Sequence, residues 1–293
     1  MKYLRILTAF FGEPWVIAED KYHQLRTILL ERAAGKSASD EDIDIAAAAR
    51  RPSSYAVVGK TAIIPLMGVL APRVGMMEEA SGGVGAETIG QQIDAAIADK
   101  TVSRIVLHID SPGGSVYGIQ ELGDKIRAAR DQKKIIAVAD PVAASGAYWL
   151  GSQASEFYMT PSGVVGSIGV ISERVDLSKA EEMAGVKTTL IRAGEYKQEM
   201  HPSQPPTDEA VAYEQSIVNQ YYDTFINAVA KGRGVTVANV RENYGKGRVL
   251  TAADAKAVGM VDGVATFERV LRRLEGETGK QAAQARARAV EIS

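Results

Sequence analysis

Two residues in this sequence have side chains that together could hydrolyse an acyl bond without a metal: Ser145, in VAASGAYWLGSQA, and Lys197, in AGEYK. A serine hydroxyl is a poor nucleophile at neutral pH unless a neighbouring base takes its proton, and an unprotonated, desolvated lysine can be that base. The strand-like segment KKIIAVAD (133–140) leads to Ser145, and a helix is predicted to begin just after it. Free backbone N–H groups at a helix start favour developing negative charge. The pair therefore suggests a hydrolase with a Ser-Lys dyad.

Each of these residues also has a simpler interpretation. An isolated serine before a helix usually caps it, and an isolated lysine is usually solvated. Histidine is the other common base, but none of the three histidines, His23, His108 and His201, lies in a motif typical of a catalytic triad. His108 falls in the alternating pattern of a strand, which favours a packed or hydrogen-bonded role. His201 lies in a loop that could line the cleft after Lys197.

A glycine-rich turn follows one of the predicted strands. The motif DSPGG (110–114) comes directly after RIVLHI, and proline followed by two glycines predicts a tight turn where the backbone can approach a ligand. An N–H group of this turn could face an oxyanion. Most strand-end glycine pairs are simply turns, so the motif indicates function only in combination with Ser145 and Lys197.

The hydrophobic pattern from residue 55 onward alternates between strands and helices. TAIIPLMGVL, RIVLHI, KKIIAVA and TTLIRA are predicted strands, and helical spacing of apolar residues lies between the first three and after Ser145. This alternation predicts parallel βαβ units with right-handed crossovers. A long helix is predicted from a Thr207 cap to KGRG, and a short one in TAADAKAVG, with Thr251 as the cap and Gly259 as the stop.

The two ends of the sequence depart from this alternation. A helix is predicted around residues 21–34 and is followed by polar and alanine-rich stretches. The last segment, GETGKQAAQARARAVEIS, has few large apolar residues and is predicted to be a loose tail. We therefore expect a helical extension and linker over residues 1–54, a catalytic domain over 55–272 and a tail over 273–293.

Composition excludes several classes of function. The 34 basic and 36 acidic residues leave a net charge of −2, so no basic field indicates nucleic acid as a partner. Cysteine is absent, which excludes disulfides, thiolate catalysis and cysteine metal sites. Glu13 and Pro14 interrupt the apolar run at the N terminus, and nothing reaches membrane-spanning length. We expect a cytoplasmic protein without stable membrane insertion.

Five segments, in this order, resemble the signal peptide peptidase A family of Ser-Lys peptidases: DSPGGSV, VAASGAYWLGSQA, VVGSIGV, AGEYK and GRVLTAADAKAVGMVDGV. The resemblance implies an α/β fold, a ClpP/crotonase-like βαβ spiral, here with an N-terminal helical extension and a flexible C-terminal tail. It makes Ser145 the nucleophile and Lys197 the general base. Gly114 and Gly146 would lie at the oxyanion hole, and Ser167 would orient the lysine amine. No metal or other cofactor is implied.

Within that family the sequence is most similar to the capsid assembly (prohead) proteases of tailed phages. They tend to begin with an element like FGEPWVIAEDKYHQLRTIL, which Phe11, Glu13, Pro14 and Trp15 fit. The resemblance implies a homo-oligomeric endopeptidase, in the host cytoplasm or prohead, that cuts scaffold and portal or capsid proteins. It would also cut itself, within residues 46–54 or after about residue 276.

Other functions fit the same residues. A soluble bacterial signal peptide peptidase would degrade short hydrophobic peptides. The same fold also supports crotonase-type acyl-CoA chemistry, and a catalytically silent member could bind scaffold protein.

Overall fold

The computed structural model describes residues 10–33, 55–73 and 83–277. The strands are β1 (Trp15–Ile17), β2 (Ala56–Val58), β3 (Thr61–Met67), β4 (Leu70–Ala71), β5 (Val84–Gly85), β6 (Arg104–Ser111), β7 (Gly113–Ser115), β8 (Lys134–Ala144), β9 (Glu156–Met159), β10 (Val164–Gly166), β11 (Val249–Thr251) and β12 (Gly263–Val264). The helices are α1 (Glu19–Ala33), α2 (Ala86–Ala98), α3 (Ile119–Ala129), α4 (Gly146–Ser152), α5 (Ser178–Met183), α6 (Asp208–Arg233), α7 (Val237–Asn243) and α8 (Ala252–Ala257), with further helical residues at 267–277.

The larger sheet has the strand order β11-β10-β8-β6-β3-β2, with β9 beside β8 and β12 beside β9. β3, β6, β8 and β10 form parallel pairs, and the chain returns between them through α2 and α3. A smaller sheet has the order β1-β7-β4-β5. The expected α/β architecture with parallel strands is therefore confirmed. Ser145 follows directly at the end of β8, the long central strand.

Alternation along β6 explains how the larger sheet is covered on both faces. Ile105, Leu107 and Ile109 point into the main core, whereas Val106 packs with Leu274 in a separate cluster. The helix of residues 267–277 thus covers one face and continues past residue 273, where the tail is predicted to begin. Residues 278–293 and 34–54 lie outside the described part of the chain.

The long helix has the predicted ends. The Thr207 hydroxyl accepts a hydrogen bond from the Ala210 N–H, and Gly234 ends the helix with a φ of 67°. In α8 the Thr251 hydroxyl instead donates to the Asp254 carboxylate at 2.9 Å and does not cap the helix. The helix predicted at residues 21–34 is α1, which begins two residues earlier.

The strand predicted at TTLIRA is wrong. Residues 186–192 have no regular structure, and the Ile191 side chain is 93% exposed. Threonine, leucine and isoleucine favour a strand only where a neighbouring strand pairs with the backbone and an apolar surface covers one face. No described strand pairs with this segment, so its composition alone does not form one.

Within the described ranges, no helix combines the length and apolar character needed to cross a bilayer.

Candidate active site

Ser145 occupies the sharp turn between β8 and α4. Its backbone angles are φ 52° and ψ −118°, a region that residues with a side chain rarely adopt. Such a conformation costs about 1–3 kcal/mol and persists only where the surroundings enforce it. Here the Ser145 N–H donates to the Gly166 carbonyl at 2.6 Å, and the Trp149 N–H donates to the Ser145 carbonyl at 2.9 Å. The fold therefore holds this serine in a strained geometry from both sides.

The Ser145 hydroxyl is buried without a hydrogen-bond partner among the described residues. It does not cap α4, because its oxygen accepts no bond from the helix N terminus. A buried hydroxyl left unpaired costs about 1–3 kcal/mol, so such groups are rare unless they have a function. Ser145 is therefore neither a capping serine nor an ordinary turn serine.

Glycines surround the serine where no side chain would fit. A Cβ atom on Gly113, whose φ is 96°, would lie 2.1 Å from the Val16 carbonyl oxygen and 3.0 Å from the Gly146 nitrogen. A Cβ atom on Gly114 would lie 1.9 Å from the Leu70 carbonyl oxygen. The glycine pair of β7 thus lies against the residue that follows Ser145, and each glycine contacts backbone too closely for a side chain to fit.

Ser167 comes directly after β10, the strand that pairs with β8. It follows Gly166, the residue whose carbonyl accepts the Ser145 N–H, and it has a positive φ of 53°. Its own N–H donates to the Arg248 carbonyl at 2.9 Å. The structure therefore brings Ser167 into the immediate neighbourhood of Ser145, on the opposite side from β7.

Lys197 lies in an exposed turn and is not brought to Ser145. Its backbone N–H donates to the Gly194 carbonyl at 3.1 Å, and its carbonyl accepts from Arg192 at 3.1 Å. Its side chain lines an open cavity with Tyr196, Glu209 and Tyr213. The structure thus assembles Ser145, the glycines and Ser167, and leaves the fifth predicted site residue outside.

Comparison with protein families identifies the family of the chain. Residues 127–281, more than half of the chain, match peptidase family S49. This chain belongs to that family. The matched segment contains Ser145, Ser167 and Lys197, and the family expected from the sequence motifs is confirmed.

Three relatives show the range of S49 proteins to which the chain is similar. Capsid assembly protease C of Escherichia phage lambda is 30% identical over 213 residues, 73% of this chain and 48% of the relative. A protein of Enterococcus faecium with the provisional name signal peptide peptidase SppA is 32% identical over 186 residues, 61% of this chain and 52% of the relative. Protease 4 of Salmonella typhi is 31% identical over 192 residues, 65% of this chain and 31% of the relative. The chain therefore spans about half the length of the first two relatives and less of the third.

The aromatic residues after Ser145 pack behind the turn that carries this serine. Tyr148 is fully buried, and its hydroxyl donates to the Met260 carbonyl at 3.0 Å. Burial, with Tyr244 nearby, holds the pKa of Tyr148 well above its usual value, so the phenol remains a donor. Trp149 stacks on Phe225 of α6 at 4.7 Å. Both side chains support α4, and neither lines an open substrate pocket.

The two histidines that could replace the lysine have structural contacts instead. His108 Nε2 lies 2.9 Å from Asp140 Oδ2, and its ring stacks on Phe267 at 3.9 Å. The Nδ1 atom of His201 accepts a hydrogen bond from the Ser203 N–H at 3.2 Å. The packed role expected for His108 is therefore confirmed.

Sequence reasoning missed that β1 belongs to the site. The N-terminal strand pairs with β7 in antiparallel register, with Val16 opposite Gly114. A three-residue strand has too few residues for a period to be visible, so the sequence indicates the EPW element only through its family likeness. Its composition is the other signal: three consecutive large apolar residues, Trp15–Ile17, between Pro14 and the polar start of α1.

Proposed function

We propose that this S49 member is a serine endopeptidase in which Ser145 is the nucleophile. The observation that supports this most directly is the Ser145 hydroxyl itself, buried, unpaired and held at positive φ beside the Gly146 nitrogen. Two unfavourable features at one residue are expected where chemistry requires them. Protease-named relatives of the same family support the choice of peptide bonds as substrates.

In the proposed reaction Lys197 removes the Ser145 proton while the serine oxygen forms a bond to the substrate carbonyl carbon. The carbonyl electrons move to its oxygen, which the N–H groups of Gly114 and Gly146 stabilise. The protonated lysine then gives its proton to the leaving amine, and the peptide bond breaks. Water hydrolyses the acyl-enzyme by the same steps, with Ser167 orienting the lysine amine. The proposed steps require no metal or other cofactor.

A contact absent from the single chain must complete this dyad, because Lys197 is exposed here. We propose that bound substrate or a second copy of the chain orders the lysine segment and brings the amine to Ser145. Mixing chains carrying Ser145→Ala with chains carrying Lys197→Ala distinguishes these sources. Recovered cleavage in the mixture means that the lysine comes from a second copy, and sedimentation velocity would show the expected homo-oligomer.

The decisive test of the peptidase proposal is Ser145→Ala, which removes only the serine hydroxyl oxygen and should abolish cleavage. Cleavage of unfolded casein should require Ser145, and a fluorophosphonate should modify that residue in the wild-type chain. Normal turnover by a folded Ser145→Ala protein would refute the assignment. Acyl-CoA retained by the purified chain, or a catalytically silent chain that binds scaffold protein, would support the other two functions.

The substrates proposed for this chain are phage scaffold and portal or capsid proteins, cut in the host cytoplasm or the prohead. The alignment with capsid assembly protease C of phage lambda supports this role, since it covers 73% of the chain, against 61% for the Enterococcus relative. A signal-peptide-degrading role is the second candidate, supported by that relative's provisional name. Incubating the enzyme with scaffold protein and with signal peptides compares the two directly.

Self-cleavage and the domain limits also remain proposals. Cuts are proposed within residues 46–54 or after about residue 276, flanking a catalytic domain of residues 55–272. Intact-mass analysis of the wild-type chain beside Ser145→Ala tests this. Identical masses after long incubation would contradict self-cleavage, and identical truncation of both would assign the cuts to a contaminating protease.

A further inference from the structure

The N-terminal strand β1 lies in a gap between two other segments of backbone. On one side it pairs with β7, and hydrogen bonds extend this ladder from the Ala18 N–H to the Pro112 carbonyl at 2.7 Å and from the Val116 N–H to the Pro14 carbonyl at 3.2 Å. On the other side, Trp15 and Ile171 exchange two bonds of 2.7 and 2.9 Å. β1 is thus hydrogen-bonded along both edges, to β7 on one side and through Trp15 to Ile171 on the other.

The register of β1 places a peptide carbonyl at the predicted oxyanion hole. In an antiparallel ladder hydrogen-bonded pairs alternate, and the bonds at Pro14 and Ala18 put the Val16–Gly114 pair in the hydrogen-bonded phase. The Gly114 N–H therefore faces the Val16 carbonyl. That oxygen would lie only 3.2 Å from a Cβ atom on Gly146, and a Val16 methyl group 3.0 Å from it. Val16 thus takes the position expected of a substrate residue beside Ser145.

A separate apolar cluster anchors this strand. It consists of Phe10, Trp15, Ile17, Tyr22 and Val69, all nearly or fully buried. The Trp15 indole N–H donates to the Phe10 carbonyl at 2.9 Å. Arg174, which follows the Ile171 segment, donates to the Phe11 carbonyl and to Glu214. The cluster links the strand to α1 and to β4, so the segment is packed as well as hydrogen-bonded.

We propose that β1 is a built-in occupant of the substrate cleft, the gap between β7 and Ile171, and that it keeps Ser145 closed until it leaves. The proposal rests on the assignment of Ser145 as nucleophile. An extended substrate that adds a strand here needs the same N–H and C=O groups of β7 and Ile171 that β1 now uses. Occupation by β1 and by a second peptide therefore exclude each other. Whatever releases residues 10–17 switches the peptidase on.

The absence of cysteine allows a direct measurement of closure. Ser145→Cys introduces the only thiol of the chain, and its alkylation by iodoacetamide reports access to position 145 without any need for catalysis. The thiol is compared in three backgrounds: otherwise wild type, Trp15→Ala, and Leu274→Ala. Trp15→Ala removes the main anchor of β1. Leu274→Ala is the matched control, because it removes a buried side chain from the cluster on the opposite face of the sheet.

We expect Trp15→Ala to raise the alkylation rate about ten-fold or more, and Leu274→Ala to leave it within about two-fold of the Ser145→Cys chain. Equal alkylation rates in all three backgrounds would overturn the proposal. Rapid alkylation of the Ser145→Cys chain that is otherwise wild type would also overturn it. Circular dichroism checks folding. If Trp15→Ala does not fold, Arg174→Ala replaces it, since this partly buried side chain donates to the Phe11 carbonyl and its loss loosens the segment before β1. An unchanged rate there would also overturn the proposal.

Chains that retain Ser145 separate this proposal from the peptidase assignment. A fluorophosphonate should modify Ser145 faster in Trp15→Ala than in the wild-type chain. If Trp15→Ala speeds alkylation of the thiol but the fluorophosphonate never modifies Ser145, then β1 closes the cleft and the nucleophile assignment fails. If Ser145 reacts equally fast in both chains, the closing role fails and the assignment stands. A cut between Val16 and Ile17 in the wild-type chain would make β1 a substrate and overturn its closing role.

Discussion

At the scale of single residues, Ser145 and Lys197 have opposite environments. The serine hydroxyl is fully buried and has no hydrogen-bond partner in the described part of the chain, whereas the lysine lies in an exposed turn. Sequence motifs identify both as candidates but carry no information on which is already in place. The difference follows from their supports: Ser145 is joined to the central strand β8, and Lys197 belongs to an irregular segment without a pairing strand.

Replacing either member of the proposed dyad should abolish cleavage. Ser145→Ala and Lys197→Ala are each expected to lower turnover by about four orders of magnitude or more, and the double variant should lose no more than either single one, because the residues act as a unit. Casein cleavage measures the loss, with circular dichroism as the control for folding. Additive losses would mean that the two residues act independently.

Ser167→Ala should reduce turnover only partially, by about ten-fold, because it removes the proposed orienting hydrogen bond to the lysine and leaves the proposed nucleophile and base. The Ser167 N–H bond to the Arg248 carbonyl is a backbone bond and survives the change. The variant should therefore unfold at the wild-type urea concentration. Unchanged turnover would return Ser167 to the role of a turn residue.

At the scale of elements, the site depends on short strands that pair across long stretches of sequence. β7 contributes Gly113 and Gly114, and it is held between β4 and β1 in the smaller sheet. The close approach of Gly114 to the Leu70 carbonyl leaves no room for a side chain. A change confined to this contact should therefore disturb both the sheet and the proposed oxyanion hole.

Gly114→Ala is expected to abolish cleavage and to lower the free energy of unfolding by about 3 kcal/mol, since the new methyl group would overlap backbone that cannot move away alone. Gly90→Ala is the matched control. Its Cβ would make ordinary contacts, with the flexible end of Lys125 at 3.6 Å and a Leu122 methyl group at 4.0 Å. Alanine also favours a helix over glycine by about 0.5–1 kcal/mol. Urea denaturation should show a lower free energy of unfolding for Gly114→Ala and a higher one for Gly90→Ala. A stable, active Gly114→Ala protein would contradict the assigned packing.

The sequence predicts the long elements well because their periods extend over many residues. β3, β6, β8, α2, α3 and α6 all follow from apolar spacing and from caps such as Thr207. β1, β4, β5 and β7 are two or three residues long, and nothing local indicates which strand pairs with which. TTLIRA shows the opposite error: its residues predict a strand, but no described strand pairs with them. The position of Lys197 was not predictable for the same reason.

At the scale of the whole molecule, a charged cluster joins the sheet to the C-terminal helical residues. Glu156 on β9 pairs with Lys134 on β8 and with Arg273 in the helix of residues 267–277, and Tyr158 donates to the same carboxylate at 2.9 Å. Partial burial raises the pKa of Glu156, but the hydrogen bonds from Lys134, Arg273 and Tyr158 outweigh burial and lower the pKa to about 2. The ionised form is thus favoured in the folded protein.

Glu156 should therefore make the free energy of unfolding depend on pH in the acidic range. A lowered carboxyl pKa contributes stability that is fully present above the ordinary value of 4.5 and is lost as the pH falls toward about 2. Glu156→Gln should lower the free energy of unfolding at pH 7 by about 1–2 kcal/mol, allowing for solvent screening, and the difference should shrink below the ordinary carboxyl pKa. Urea titrations across this range measure it, with the exposed Glu121→Gln as control. A difference independent of pH would assign the effect to packing.

At position 145 the positive φ favours glycine for stability, whereas the proposed chemistry requires serine. Glycine adopts a φ of 52° without strain and has no hydroxyl to leave unpaired, so Ser145→Gly should unfold about 1 kcal/mol less readily than the wild-type chain. In a gene copy released from selection for cleavage, drift would thus be biased toward glycine here, because no structural requirement preserves the serine. Descendants of this chain that keep the fold but carry glycine at 145 would record the loss of the enzyme.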